Sequence, residues 1–208
     1  MKTNEKILDA SRKLFNTKGL ANVSVRDICA DLGISAGNFS YHFPNKDIIV
    51  VSLYQNMLLE LVKVLETISR DKVSIVLYLE SHKLLFQIQL KYKFIYLNLF
   101  EIVTNYPEIK ATYLKNIGYE RKMAKELFDV YVAKGVIKKG ISSSQFERIL
   151  NVGQIINNSW VIDSEIVFTG NKKQQLNYYM GICCGLLEPY LTEVSLKEYN
   201  EYFKKLNT

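Results

Sequence analysis

Apolar residues recur at steps of three and four positions along most of the chain, which is the spacing of amphipathic α-helices. The pattern is clearest in the first third, where it predicts a helix over 4–18, two short helices within 24–46 and a long helix over 46–69. Because only three prolines interrupt 208 residues, the sequence predicts an all-α protein. The further predicted helices span 72–91, 93–105, 107–135, 143–167, 172–191 and 195–206.

The segment 24–46 contains two short predicted helices that are joined by a glycine turn. Ser24 stands at a capping position, and Asp27 follows at the third position of a capping box. Gly33 supplies the left-handed residue that ends the first helix, and Ser35 caps the second. This order is typical of a helix-turn-helix, and the helix over 4–18 is expected to complete a three-helix DNA-binding unit.

The second short helix, over 36–42, has a composition suited to contact from outside. Phe39 and Phe43 are four residues apart and are predicted to point inward, which leaves small and polar residues on the remaining surface. Asn38 is suited to bidentate contact with a base edge, and the Tyr41 ring to a thymine methyl group or a phosphate. The candidate DNA-binding residues are Ser24, Arg26, Ser35, Ala36, Gly37, Asn38, Ser40, Tyr41, His42 and Lys46.

Three of these candidates, Ser24, Arg26 and Lys46, are assigned to phosphates, while Asn38 and Tyr41 are assigned to bases. Asn45 is predicted to cap the long helix. Lys46 begins that helix, where a cation opposes the helix dipole but lies beside free backbone N–H groups. The alternative for Lys46 is a solvated lysine at a helix start.

Residues 4–50 resemble the DNA-binding domain of the TetR family of bacterial regulators. The resemblance implies an N-terminal three-helix helix-turn-helix domain, joined by a long helix to a C-terminal helical ligand-binding and dimerisation domain. Two residues depart from the family pattern: Ser40 stands where a phosphate-binding Tyr is usual, and Ala36 replaces a frequently polar base-reading position. The matching residues are Phe15, Gly19, Ser24, Ile28, Gly33, Ile34, Ser35, Gly37, Phe39, Tyr41, His42, Phe43 and Lys46.

The boundary between the two domains is predicted near residue 48, which divides the chain into 1–48 and 49–208. The long helix crosses this boundary, and at ~1.5 Å per residue it would span roughly 30 Å. It is therefore interpreted as a mechanical link, although a plain packing helix has the same pattern. Its apolar stripe is Val51, Tyr54, Leu58, Leu61, Leu65 and Ile68.

The middle of the chain is rich in tyrosine and phenylalanine, which are suited to enclosing an apolar pocket with a few polar groups. The resemblance implies an effector-binding cavity here, and the effector is expected to be a partly apolar small molecule. The alternative is an aromatic core without a ligand. The candidate pocket residues are Tyr78, His82, Phe86, Tyr96, Phe100, Tyr113 and Asn157.

The predicted helices 143–167 and 172–191 combine small and aromatic residues at helical spacing. Small residues let helices approach closely, and aromatic residues are effective interface anchors. The resemblance implies a two-fold, four-helix homodimer interface, and the alternative is an intramolecular core. The candidate interface residues are Gly153, Ile156, Trp160, Tyr179, Gly181, Cys183, Gly185 and Leu186.

Composition and charge narrow the classes of function. The formal charge is +6, but residues 1–50 carry seven basic and five acidic side chains, so charge alone does not indicate nucleic acid. The three cysteines are expected to be reduced thiols in the cytoplasm. No stretch has the ~18 uninterrupted apolar residues of a membrane span, and no secretory signal is recognised.

These observations favour a dimeric, ligand-responsive transcriptional regulator, and a repressor of a palindromic operator before an activator. The alternatives are a helical module that acts through a protein partner and an enzyme with a helical pocket. An enzyme is disfavoured because the chain has two histidines and no zinc-protease, phosphate-loop or nucleophile-elbow motif. No cofactor, metal or membrane partner is expected.

Overall fold

A computed structural model describes residues 2–66 and 73–206, and within them the fold is all-α, as predicted, with no β-strand. One isolated antiparallel bridge joins Ile137 to Leu191. The helices are α1 Thr3–Lys18, α2 Val25–Leu32, α3 Ala36–His42, α4 Lys46–Glu66, α5 Ile75–Lys91, α6 Lys93–Leu97, α7 Leu99–Asn105, α8 Pro107–Ala133, α9 Ser143–Ile166, α10 Lys172–Gly185, a 3₁₀ helix Glu188–Tyr190, and α11 Glu193–Leu206.

Helices α1 to α3 form a small unit whose apolar side chains belong to the continuous core of the protein. The fully buried side chains Ile7, Phe15, Ile28 and Phe39 meet there, so each helix contributes its apolar stripe to one cluster. This packing confirms the three-helix arrangement that the spacing predicts.

Helix α4 begins at this unit and continues into the larger bundle. The Asn45 side chain accepts a hydrogen bond from the Ile48 amide at 3.0 Å, which confirms Asn45 as its N-cap. The described helix ends at Glu66, so Ile68 and Ser69 of the predicted helix lie outside the described residues. Among the described helices, α4 alone is long and apolar enough to cross a membrane. This is weak evidence for a membrane span, because core helices of other proteins have the same length and composition.

The remaining helices form the larger bundle, and two predicted helices are each divided. The predicted helix over 93–105 breaks at Asn98, whose φ of −120° departs from helical geometry. The predicted helix over 172–191 ends at Gly185, and a 3₁₀ turn containing Pro189 follows, because proline cannot continue the backbone ladder.

Hydrogen bonds attach α1 and the first turn of α4 to the rest of the bundle at two further places. The Asn16 amide donates to the Lys91 carbonyl at 2.8 Å, and its oxygen accepts from the Phe94 amide at 3.0 Å. At the second place, Tyr106 donates to the Asp47 carboxylate at 2.8 Å. The α5–α6 junction is thus fastened directly to α1.

Candidate nucleic-acid interface and effector cavity

Helix α3 lies on the surface and buries one side chain of its own. Phe39 is buried, and Phe43 just after the helix is also buried, which confirms the predicted inward pair. Ser35 caps the helix by accepting from the Asn38 amide at 3.1 Å. Tyr41 is 85% exposed and meets the His42 ring edge-on. The exposed candidate residues along this helix are Ala36, Gly37, Asn38, Ser40 and Tyr41.

The start of α2 also lies on the surface, but its cap occupies Ser24. The Ser24 hydroxyl accepts from the Asp27 amide at 3.2 Å, and the Ser24 amide donates to the Asp27 carboxylate at 2.7 Å. Hydrogen bonds from Ser24 lower the pKa of Asp27 below its ordinary value. Arg26 is exposed beside this cap. Phosphate contacts by Ser24 and Arg26 therefore stay predictions, and Ser24 has the structural role as well.

The Lys46 ammonium holds the loop between α1 and α2. It donates to the carbonyls of Leu20 and Val23, both at 3.0 Å, which leaves one of its three N–H groups for another partner. Gly33, at the other end of α2, has the left-handed φ of +64° that the sequence predicts. Lys46 is thus a structural residue of this unit, and its phosphate contact stays a prediction.

The larger bundle encloses a cavity of about 340 Å³ between α4, α5, α6, α8, α9 and α10. Helix α4 supplies Tyr54, Met57 and Leu58 to its wall, so the helix that begins beside α3 also bounds the cavity. Five predicted pocket residues line it, namely Tyr78, His82, Tyr96, Tyr113 and Asn157.

The structure corrects the prediction for two pocket residues. Phe100 is 84% exposed, because the break at Asn98 turns it away from the stripe that carries Tyr96. Phe86 is fully buried and stacks on Trp160 with ring centroids 4.7 Å apart, so it belongs to the packed core. Neither residue lines the cavity.

Several polar groups of the cavity wall lie outside the aromatic pattern that predicted the pocket. Tyr113 accepts from the Asn158 side chain at 3.0 Å, and Gln89 accepts from the Trp160 indole. Glu120 also lines the cavity, where desolvation raises its pKa. A polar residue on the inward stripe of a helix was the available signal for each of these positions.

The predicted dimer residues are mostly engaged within the protomer. Trp160, Tyr179 and Cys183 are buried there, and Tyr179 donates to the Asp163 carboxylate at 2.5 Å. They are therefore corrected from interface to core residues. Their inward packing explains this, because Trp160 stacks on the α5 side chain Phe86.

The small residues of the same prediction also face neighbours within the chain. A Cβ at Gly181 would lie 3.6 Å from the Phe203 ring of α11, and one at Gly185 would lie 3.7 Å from the Tyr199 hydroxyl. Gly153 and Leu186 line the cavity. The partly buried Ile156 packs against the core.

The opposite faces of α9 and α10 carry exposed apolar side chains. On α9 they recur at helical spacing, and on α10 they lie one turn apart, so each set forms one stripe. We name this surface the α9–α10 face. Its members and their exposed fractions are Val152 42%, Ile155 65%, Ile162 39%, Ile166 77%, Tyr178 55% and Ile182 43%.

The sequence matches two family models that together cover most of the chain. Residues 7–53 match "Bacterial regulatory proteins, tetR family", and residues 54–199 match the TetR model described as "Bacterial transcriptional repressor". No curated protein matches the chain.

Solved structures with the same fold are regulators of this kind. A TetR-family transcriptional regulator from Marinobacter aquaeolei VT8 superposes with a TM-score of 0.86 at 24% identity over 99% of both chains. CprB from S. coelicolor A3(2) gives 0.67 at 13% identity over 99% of this chain and 98% of its own. A regulator from Saccharomonospora viridis, in complex with choline, gives 0.64 at 20% identity over 91% and 97%.

Both family models describe bacterial regulators, and the second alone matches more than half of the chain. The chain therefore belongs to the TetR family of transcriptional regulators, which are DNA-binding proteins and not enzymes.

Proposed function

We propose that this regulator is a cytoplasmic homodimeric repressor that a small-molecule effector releases from a palindromic operator. The observation that carries the proposal is the course of α4. Its first residue, Lys46, is bonded to the DNA-binding unit, and Tyr54, Met57 and Leu58 further along line the cavity. A ligand that displaces these side chains displaces the helix that carries the recognition unit.

Helix α3 supplies the surface for reading DNA. The side chain of Asn38 has no hydrogen bond to a described residue, so its amide is available to a base edge. Tyr41 projects beside it. A short helix of this kind reads few base pairs, so useful affinity requires two copies that bind two half-sites together.

The α9–α10 face is the surface that we assign to the second copy. Six large apolar side chains are exposed at helical spacing on two adjacent helices, and burying them against the same face of a second copy is favourable. Two helices from each protomer would form the four-helix interface. This face replaces the buried stripe that the sequence suggested.

Release from DNA requires the effector to favour one conformation. A ligand shifts the equilibrium only by its difference in affinity for the DNA-competent and DNA-incompetent states. A coupling of about 1–3 kcal/mol is sufficient for a 5- to 150-fold change in operator affinity. We place the domain boundary near residue 48, inside α4, so that no flexible linker separates the cavity from α3.

The test is selection of binding sites from random duplexes, followed by fluorescence anisotropy at several salt concentrations. We expect a palindromic site, a falling affinity with salt, and an altered sequence preference for Asn38→Ala. The control Asn200→Ala removes an exposed amide on α11, a helix of the larger bundle, and should leave the preference unchanged. A protein that selects no sequence, or that binds duplexes equally at all salt concentrations, would contradict the proposal.

A further inference from the structure

The cavity wall contains one carboxylate and one guanidinium, that of Arg121, among otherwise apolar and neutral groups. Helix α8 turns one stripe toward the cavity, and its members recur at steps of four and three residues. Glu120 lies in the middle of this stripe, and it is the one acidic residue among the described residues of the wall. The stripe is Tyr113, Ile117, Glu120, Ala124, Leu127 and Tyr131.

The surroundings of Glu120 provide aromatic rings but no counter-charge. Tyr54 of α4, Tyr96 of α6 and Tyr113 of α8 line the same cavity as Glu120. Desolvation is the main cause that raises their pKa values, that of Tyr54 to about 12, and the Glu120 charge contributes less to each. Within the described residues, the Glu120 carboxylate has no hydrogen bond or ion pair. The Glu120 side chain is exposed and lines the cavity, so its carboxylate is accessible to a partner from outside the chain.

Arg121, the neighbouring cation on the cavity wall, is already paired. Arg121 donates to the Asn151 side chain at 2.8 Å and forms an ion pair with Glu147, and both partners lie on α9. Its charge is therefore balanced outside the immediate surroundings of Glu120.

His82 contributes a further acceptor and no charge. Its Nδ1 lies 2.9 Å from the Tyr78 carbonyl, so Nδ1 carries the proton and the neutral ring presents Nε2 as an acceptor. Burial lowers the pKa of His82 to about 4, which keeps the ring neutral near pH 7. The cavity thus offers acceptors and aromatic walls without an unpaired cation.

We propose that the cavity takes an organic cation, an ammonium group with an apolar substituent, whose charge lies against Glu120 among Tyr54, Tyr96 and Tyr113. An ammonium over tyrosine rings gains cation–π attraction, and the carboxylate supplies the charge partner. The proposal rests on the assignment of this cavity as the effector site and adds the chemical class of the effector.

The charge pairing makes the preference depend on pH. The raised pKa of Glu120 means that the empty site favours the protonated carboxyl, while the cation favours the ionised form. The preference for a cation should therefore decrease as the pH falls through the Glu120 pKa. The titratable groups facing it, Tyr54, Tyr96 and Tyr113, stay neutral over that range, since their pKa values are raised above 10.

The experiment compares three ligands that share one eight-carbon chain and differ in head group. Octyltrimethylammonium, 1-octanol and octanoate are titrated by calorimetry into the full-length protein at pH 8. We expect the ammonium to bind at least tenfold more tightly than octanol, and octanoate to bind most weakly. Glu120→Gln should remove the preference and leave octanol affinity within threefold. Asp129→Asn, an exposed residue of the same helix outside the cavity wall, should keep it.

The results separate this inference from the proposed function. Equal affinity for the ammonium and octanol in the unmodified protein would overturn the cation preference and leave the effector cavity in place. Binding of none of the three would overturn the inference and the effector assignment together. DNA binding by anisotropy is an independent measurement, so its loss would count against the regulator proposal alone. The head-group comparison in the unmodified protein does not depend on the folding of a variant.

Discussion

Lys46 joins the first residue of α4 to the loop before α2, so its removal tests whether this bond fixes the DNA-binding unit. The ammonium makes two charge-assisted hydrogen bonds, to the Leu20 and Val23 carbonyls at 3.0 Å each. Such bonds contribute about 1.5–3 kcal/mol each when buried, and Lys46 is only half-buried. We therefore expect Lys46→Met to lower the free energy of unfolding by about 2 kcal/mol.

The same variant separates the structural role of Lys46 from its predicted phosphate contact. Loss of one phosphate contact reduces the slope of log K against log salt by about 0.9, whereas a scaffold effect lowers affinity and leaves the slope unchanged. We expect both the lower stability and the smaller slope, measured by urea unfolding at fixed protein concentration and by anisotropy. Lys63→Met, at the exposed far end of α4, is the charge-matched control. Unchanged unfolding would refute the structural role, and an unchanged slope would refute the phosphate contact.

Two further predictions concern the bundle. Ile155→Glu places a charge in the α9–α10 face, so light scattering after gel filtration should show a monomer in place of the dimer. The control Leu114→Glu, at a residue that is 59% exposed on α8, should leave the dimer intact. A dimeric Ile155→Glu protein would refute the interface. Burial lowers the pKa of His82 to about 4, so between pH 6.5 and 4 the His82 ring is protonated in the unfolded chain and neutral in the folded protein. The free energy of unfolding should therefore fall as the pH falls through this window. Urea unfolding should show the unmodified protein losing up to about 3 kcal/mol more than His82→Gln over that range, and parallel pH profiles would show that the ring is not buried neutral.

Local signals were sufficient to predict the DNA-binding unit from the sequence. The Ser24 and Ser35 caps, the left-handed Gly33 and the Asn45 cap each depend on neighbouring residues, and the structure confirms all four. Such features are encoded within a single turn of the chain, so they do not require knowledge of the tertiary structure.

The interface and the cavity could not be predicted in the same way because they depend on which helix face turns inward. Helix α9 is apolar on two sides, so spacing alone does not distinguish the buried Trp160 from the exposed Ile155. The backbone break at Asn98 altered the helical phase and moved Phe100 to the surface. Glu120 lies outside the aromatic pattern that predicted the pocket.

The Asn16 hydrogen bonds restrict how the DNA-binding unit, α1 to α3, can turn relative to the bundle. Helix α1 is held to residues 91–94 by the Asn16 side chain, by the Arg12 guanidinium, which donates to the Lys91 carbonyl at 3.0 Å, and by the contact between the Phe15 and Phe94 rings. The start of α4 is held to Tyr106 through Asp47. A unit held in this way cannot turn freely, so repositioning it requires at least one of these contacts to open. The hydrogen bond between Tyr106 and Asp47 is exposed to water, whereas the one between the Phe94 amide and Asn16 is partly shielded. The exposed bond should therefore open before the shielded one. The geometry therefore favours repositioning in steps, in which the contacts open one after another, over a continuous rotation.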